Sequence, residues 1–483
     1  MTATAVAFIG DNFPYGKVTS QEAKNAIAKA HPESFWLDDP QRPEAKPALS
    51  KDISTGLVVV GAGFVGLWTA INAKIHQPNL GVVLIDSQRV GQGAAGRNGG
   101  FVSASLTHGF PNGFGRWEHE LANIISMGHE NLKEIEEFIN KHELDVDFEL
   151  FGEFDVAITK EHAEELKEMV NTAKKYGENF TYLSEKEFAK YIKSPLYKGA
   201  LLDKECALVN PAKLVWGLRK VALELGVDLY ENSPVLDLDQ TVNGVKLKTS
   251  LGSIKARKCI LATGAFPSFI PKVNRMIAPV YDYALVTEPL NKDQKESLGW
   301  TKHFGCNDAF NQFHYFRLTK DDRILWGGYD AVYHYGNEVN REYEQSDESF
   351  AMLAEHLYRT FPDLRGIGFS HKWGGAIDTC SRFTPFWGTA MRGKVAYVAG
   401  FTGLGVGSSR FASLTLLDLV FGRKSERTKL SMVRTKPMPF PPEPFKSWVI
   451  SLTRWSLDKA DKNGGKRNLW LKLLDWLGLG FDS

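Results

Sequence analysis

The sequence predicts an α/β (α+β) protein in which a parallel sheet is gathered from separate stretches of chain and a mixed, largely antiparallel sheet is built from what lies between. Three observations lead there. The chain has 483 residues, more than one ordinary domain holds. Leu57 to Val60 is a short valine-rich run, the pattern of a parallel strand buried on both faces. Comparable strand and helix patterns return only far downstream, near residues 210–264 and 394–422.

Composition bounds the function. Hydrophobic residues at 43% and aromatics at 12% suffice for packed cores and exclude general disorder. With 58 basic against 57 acidic residues there is no global field for nucleic acid, and no nucleic-acid partner is expected. Cys206, Cys259, Cys306 and Cys380 form no CxxC pair and have no ligand-like spacing to histidine. This pattern fits a reducing compartment and predicts no metal site. The N-terminus lacks a basic region followed by a long apolar core, and no apolar stretch of eighteen residues occurs, so a cytoplasmic location is expected.

Residues 1–52 are expected to form an extension lying on the surface, with "DDPQRPEAKP" as a proline-punctuated linker. The segment "GLVVVGAGFVGLWTAINAKIHQPNLGVVLIDS" then reads as strand, tight turn, helix and second strand. Gly61 allows the turn, Gly63 lets a pyrophosphate approach the backbone, and Gly66 lets the helix sit close to the sheet. Amides at the helix start, around Phe64 and Val65, would hold the phosphates. The second strand ends at Asp86, twenty residues after Gly66 and just before Ser87, where an acid can accept hydrogen bonds from both ribose hydroxyls. In register, these pieces mark a Rossmann-like dinucleotide-binding unit.

A second glycine-rich run follows at once, "GAAGRNGGF" at 93–101, where a plain nicotinamide-binding domain would enter a crossover helix. Glycines there suit close passage of backbone along a ligand, and Arg97 can place a charge-assisted donor near a phosphate; a solvent loop with an incidental arginine is the alternative.

The pair "GAGFVG" and "GAAGRNGG" resembles the D-amino acid oxidase superfamily of FAD-dependent oxidoreductases. The "GRNGG" form and the preceding "SFWLDDP" are similar to its bacterial gamma-glutamylputrescine oxidase-like branch, over most of residues 34–425. The resemblance implies FAD as cofactor, with Gly96, Arg97, Asn98, Gly99 and Gly100 along its diphosphate and ribityl chain and Val235 passing the adenine. It places Ala262, Thr263 and Gly264 near the dinucleotide, and Gly403, Leu404, Gly405 and Val406 at the isoalloxazine edge. It also implies the reaction: hydride passes from the carbon beside an amine to flavin N5, the imine hydrolyses, and oxygen takes the electrons to give hydrogen peroxide. A dehydrogenase delivering electrons to a quinone at a membrane, and a dinucleotide-binding protein without catalysis, are the alternatives.

The cofactor domain is then expected over 53–106, 205–272 and 376–425, and the substrate domain over 107–204 and 273–375. "NPAKLVWGLRKVALELG" carries a complete helix signature, from the Asn210 cap and Pro211 to the Gly226 stop. Residues 117–200 show amphipathic helices, and 278–335 show strands. On those strands Tyr315 and Arg317 are the expected substrate residues. Arg317 is either a bidentate clamp for a carboxylate or an exposed surface arginine. Tyr281 and Tyr283 either border a cationic amine or pack in the core, and His314 reads as structural or surface. The segment 373–388, opening on Trp373, holds Cys380, for which burial as a small apolar side chain is the commoner fate; its place near the point where sarcosine oxidase-like relatives attach flavin covalently makes such a bond the alternative.

Residues 426–483 are expected to form a basic, proline-rich strap and two amphipathic helices. These helices would pack on the body or on a second subunit in a homo-oligomer, or touch a membrane surface through tryptophans flanked by basic residues.

Overall fold

The structure, a computed structural model, describes residues 13–479; the end of the second expected C-terminal helix, at 480–481, lies outside the described residues. Its first sheet runs in the order Phe386–Ala390, Val395–Ala399, Ser253–Leu261, Ile53–Val60, Val82–Ile85, Asp228–Tyr230. The last five of these strands are parallel. The central parallel strands are covered on both faces, by helices on one and by the strands Asp237–Gln240 and Val245–Lys248 with their neighbours on the other, which is why Val58, Val59, Leu84 and Ile260 have no exposed surface and the sequence there does not alternate. Phe64–His76, Pro211–Glu224 and Ser408–Phe421 cover one face.

The second sheet has the order Val332–Tyr333, Ala278–Thr287, Ile324–Gly328, His314–Leu318, Gly305–Asp308, Glu153–Ala157, Gly199–Asp203, Thr181–Ser184, with Phe369–Thr379 also paired to Ala278–Thr287. All its pairings are antiparallel except Gly305–Asp308 with Glu153–Ala157. The eleven-residue strand Phe369–Thr379 runs unbroken through the expected boundary at 375/376, because it stays paired with Ala278–Thr287 from end to end. The chain thereby passes from the second sheet toward the first without a linker.

Two outer segments differ from expectation. The N-terminal extension does not simply lie on the surface: Tyr15 enters the core of the second sheet, while Trp36 and Leu37 enter that of the first. Ser34 Oγ donates to Gly96 O and Trp36 Nε1 to Asn98 O, both at 2.9 Å, so the extension braces the second glycine run from behind. The strap opens with two four-residue helices, Glu426–Lys429 and Ser431–Arg434, because Leu430, Met432 and Val433 are drawn into the core. The helices Phe445–Asp461 and Leu469–Trp476 follow as a hairpin packed on the body.

Candidate active site

A cavity of about 1020 Å³ runs from the first sheet's glycine turn to the face of the second sheet. At its nucleotide end the backbone is stripped bare. Gly61 has φ 102°, and a Cβ there would lie 2.3 Å from Ala262 O; one on Gly66 would lie 1.8 Å from Gly61 O. Only glycine therefore fits where strand, turn and helix meet. Gly63 caps the helix without any side-chain hydrogen bond, and the first turn holds no acid, so the amides around Phe64 and Val65 remain available to an anion from outside. Asp86 accepts from Ala62 N at 2.6 Å and from Gln88 N at 2.8 Å, and burial raises its pKa to about 6. Each oxygen keeps a second lone pair. Ser87, Val235, Ala262, Thr263 and Gly264 line the same wall.

The second glycine run forms the adjoining wall through Arg97, Asn98 and Gly99. Gly96 and Gly100 support it from behind: added Cβ atoms would lie 2.4 Å from Gly91 O and 2.2 Å from Val209 O. Asn98 holds the turn, donating to Ala94 O and Ala95 O and accepting from Gly100 N. The expected phosphate role of Arg97 is corrected: its guanidinium is engaged by Glu344 at 2.8 Å, Gln92 O and Gly374 O.

On the far side, Gly403, Leu404, Gly405 and Val406 line the cavity ahead of the helix Ser408–Phe421. Asp378 pins this loop by accepting from Gly400 N at 2.7 Å, and burial raises its pKa to about 6. Cys380 is fully buried, its Sγ directed at Thr384 O and Gly400 O, and burial raises its pKa. Cys380 also lines the cavity, and its burial agrees with the reading of a small apolar side chain, since a protonated sulfur directed at carbonyls is a poor nucleophile.

The second sheet contributes a row of polar side chains created by its register. Glu153 stands opposite Asp203; Asp155 stands opposite Asn307, which pairs with Tyr315. Tyr315 OH donates to Asp282 Oδ2 at 2.9 Å, its ring lying where Gly327 has no side chain to obstruct it. Burial raises Asp203 and Asp282 to about 7. Glu153 and Asp155 are raised by burial, and Glu153 further by its acidic neighbours.

Three expected substrate residues are displaced from that role. Tyr281 and Tyr283 face the core, their hydroxyls donating to Asn340 O and Tyr343 O at 2.9 Å. Side chains alternate along a strand, so Asp282 between them faces the cavity. Arg317 shares a face with Tyr315 but lies one pleat further along, beneath the glycine run. It is buried and donates to Val209 O at 2.7 Å and more weakly to Gly99 O and Gly100 O, which leaves no fork for a carboxylate. Trp373 lines the cavity, but its Nε1 donates to Arg97 O at 2.9 Å, making it a brace between the second sheet and the second glycine run. His314 is structural: buried, 2.7 Å from Asp308 and 2.9 Å from His356, with burial lowering its pKa to about 3.

A family profile described as FAD dependent oxidoreductase (DAO) matches residues 57–419. The chain belongs to this family. Among curated proteins, this FAD-dependent oxidoreductase is 26% identical to the probable oxidoreductase OrdL of Haemophilus influenzae, covering 82% of this chain and 90% of that one. It is 27% identical to the gamma-glutamylputrescine oxidoreductase of Escherichia coli, covering 81% and 89%. Among solved structures, glycine oxidase from Geobacillus kaustophilus superposes with a TM-score of 0.66 at 18% identity, covering 79% of this chain and 99% of that one.

FAD is therefore the cofactor, and the residues present fit it. The bare glycine turn, the uncapped helix start and Asp86 form a cradle for a dinucleotide, and the cavity extends beyond them far enough for the rest of a long ligand. Sequence reasoning missed Asp282, Glu153, Asp155 and Asp203. No local motif marks a carboxylate that joins others only through strand register; the one available signal was an aspartate between two aromatics on an otherwise apolar strand.

Proposed function

We propose that this FAD-dependent oxidoreductase oxidises the C–N bond of a cationic amine, in preference to an amino acid held by its carboxylate. The charge of the cavity wall supports this reading. On the polar face of the second sheet Glu153, Asp155, Asp203 and Asp282 line it together, apart from Asp86 at the nucleotide end, Asp378 at the flavin-side loop and Asp330, which is paired with Arg454. The two arginines that line it are each paired already, Arg97 with Glu344 and Arg454 with Asp330, both at 2.8 Å. Such a wall attracts ammonium groups and offers a substrate carboxylate no unengaged guanidinium.

FAD, when bound, supplies the two-electron acceptor for hydride from the carbon beside nitrogen. The chain's task is to orient that carbon and remove a proton, since an ammonium nitrogen has no lone pair to assist hydride departure. Asp282, raised to about 7 and held by the Tyr315 hydroxyl, is matched to receive that proton near neutral pH. Tyr315 keeps the carboxylate aimed, and Trp373 seals the wall beside it against water. The product imine then hydrolyses. We assign the FAD side to 53–106, 205–272 and 376–425, including Gly61, Gly63, Phe64, Val65, Gly66, Asp86, Gly99, Val235, Thr263 and Gly405. The polar face of the second sheet forms the substrate side.

Anaerobic mixing of holoenzyme with a panel of mono- and diamines and of amino acids tests the reading. Bleaching by amines, with amino acids weaker, is expected; bleaching by amino acids alone would reverse the assignment, and none at all would favour a binding protein without catalysis. Readmitting oxygen then distinguishes the acceptors. Peroxide formed stoichiometrically marks an oxidase, and persistence of the reduced state until a quinone is added marks a dehydrogenase.

A further inference from the structure

The C-terminal hairpin has two faces, and only one is covered. Its inner face packs Leu457, Ala460, Leu471 and Leu474 together, and it closes the cavity with Ile450 and Trp470. Lys446 donates to Ile277 O, and Asp461 accepts from the backbone of Asn311 and Gln312, so the hairpin is fixed to the body. The outer face is apolar and open. Of the chain's twelve tryptophans the three exposed ones lie there, Trp448 at 63%, Trp455 at 54% and Trp476 at 81%. Leu452, Leu469 and Leu473 accompany them.

Charge decides what suits this face. Along the first helix Trp448, Leu452 and Trp455 fall at i, i+4 and i+7, and Lys459 continues the same stripe at i+11. Lys459 Nζ stands 5.2 Å over the Trp455 ring. On the second helix exposed Lys472 lies one turn before Trp476. Residues 445–479 hold seven lysines and arginines against three aspartates, a net +4 in a chain whose total is +1. Tryptophans with cations in the same stripe match the boundary between lipid headgroups and acyl chains. A second protein surface would have to bury those lysines. No helix among the described residues is long and apolar enough to cross a membrane, so contact would be made in the plane of the surface.

We infer that the hairpin 445–479 docks its outer face onto an anionic lipid bilayer, placing the covered end of the cavity at the membrane surface. The inference does not depend on the amine reading, because it rests on the outer face alone.

Sedimentation of the full-length holoenzyme with vesicles tests it, using phosphatidylcholine alone and phosphatidylcholine mixed with phosphatidylglycerol. Binding to the mixed vesicles is expected, weaker with added salt and weaker on phosphatidylcholine alone. The triple variant Trp448→Ser, Trp455→Ser, Trp476→Ser and the charge variant Lys459→Glu, Lys472→Glu should each lower partitioning about tenfold or more, with flavin content and melting temperature kept. These side chains are exposed, so either variant should fold. Absence of binding to anionic vesicles at low salt, or undiminished binding by both variants, would overturn the proposal. So would a concentration-dependent dimer that the tryptophan variant dissolves without any vesicle binding; the face would then belong to a second copy.

Discussion

The two ends of the cavity are built by opposite means. At the glycine-turn end the lining is mostly backbone: Gly61, Gly63 and Gly66 leave space, and the amides of one helix start have no side-chain cap, with Asp86 beside them. At the end proposed for the substrate the polar lining belongs to side chains: Glu153, Asp155, Asp203, Asp282 and Tyr315 arrive from four separate strands of one sheet. The first end tolerates almost no change in shape, whereas the second tolerates shape changes but depends on charge. Arg317 joins the two, because a residue on the substrate sheet spends its donors on the backbone of the glycine run.

Substitutions sharpen that contrast, beginning with the largest effect. Gly66→Ala puts a methyl 1.8 Å from Gly61 O, a backbone atom that cannot move without opening the sheet. Loss of bound flavin and destabilisation of about 3 kcal/mol or more are expected, measured by flavin absorbance per mole of protein and by denaturant unfolding. A yellow, stable variant would show that the nucleotide end is not built on contact geometry. Next, Arg317→Ala strands buried carbonyls and should lower stability by about 2–4 kcal/mol. In whatever holoenzyme survives, the KM for amines should change little; a KM effect without a stability effect would restore Arg317 to the substrate.

At the charged end, Asp282→Asn should keep the fold and the flavin but lower kcat/KM for amines by about 10–100-fold. In the parent, kcat/KM should rise with pH through about 7 as Asp282 ionises, a limb missing from the variant. Asp203→Asn should act on stability with the opposite sense. Burial raises the native pKa of Asp203 to about 7, above its unfolded value, so its contribution to stability is fully present at low pH and is lost as pH rises through 7. The variant should match the parent at pH 4 and exceed it at pH 8 by about 1 kcal/mol, or a few degrees in Tm. The smallest effect belongs to Cys380→Ser: acid should release the flavin from variant and parent alike, and yellow colour retained in the parent's pellet alone would return Cys380 to the cofactor.

The sequence by itself determined the parallel-sheet unit, its glycines, Asp86, the FAD family and the two C-terminal helices, because each is written in contiguous residues whose spacing follows turn and helix geometry. It also placed Tyr315 on a strand from which the side chain lines the cavity. Only the tertiary structure decided which way the neighbouring residues point. Asp282 rather than Tyr281 or Tyr283 faces the cavity because side chains alternate along a strand and nothing in one strand reveals which face is covered. Arg97 and Arg317 read equally well as ligand clamps until Glu344, 247 residues from Arg97, and the carbonyl of Val209, 108 residues from Arg317, occupied their donors. Charge partners distant in sequence are set by strand order and register, and these exist only once the two sheets have closed around the cavity.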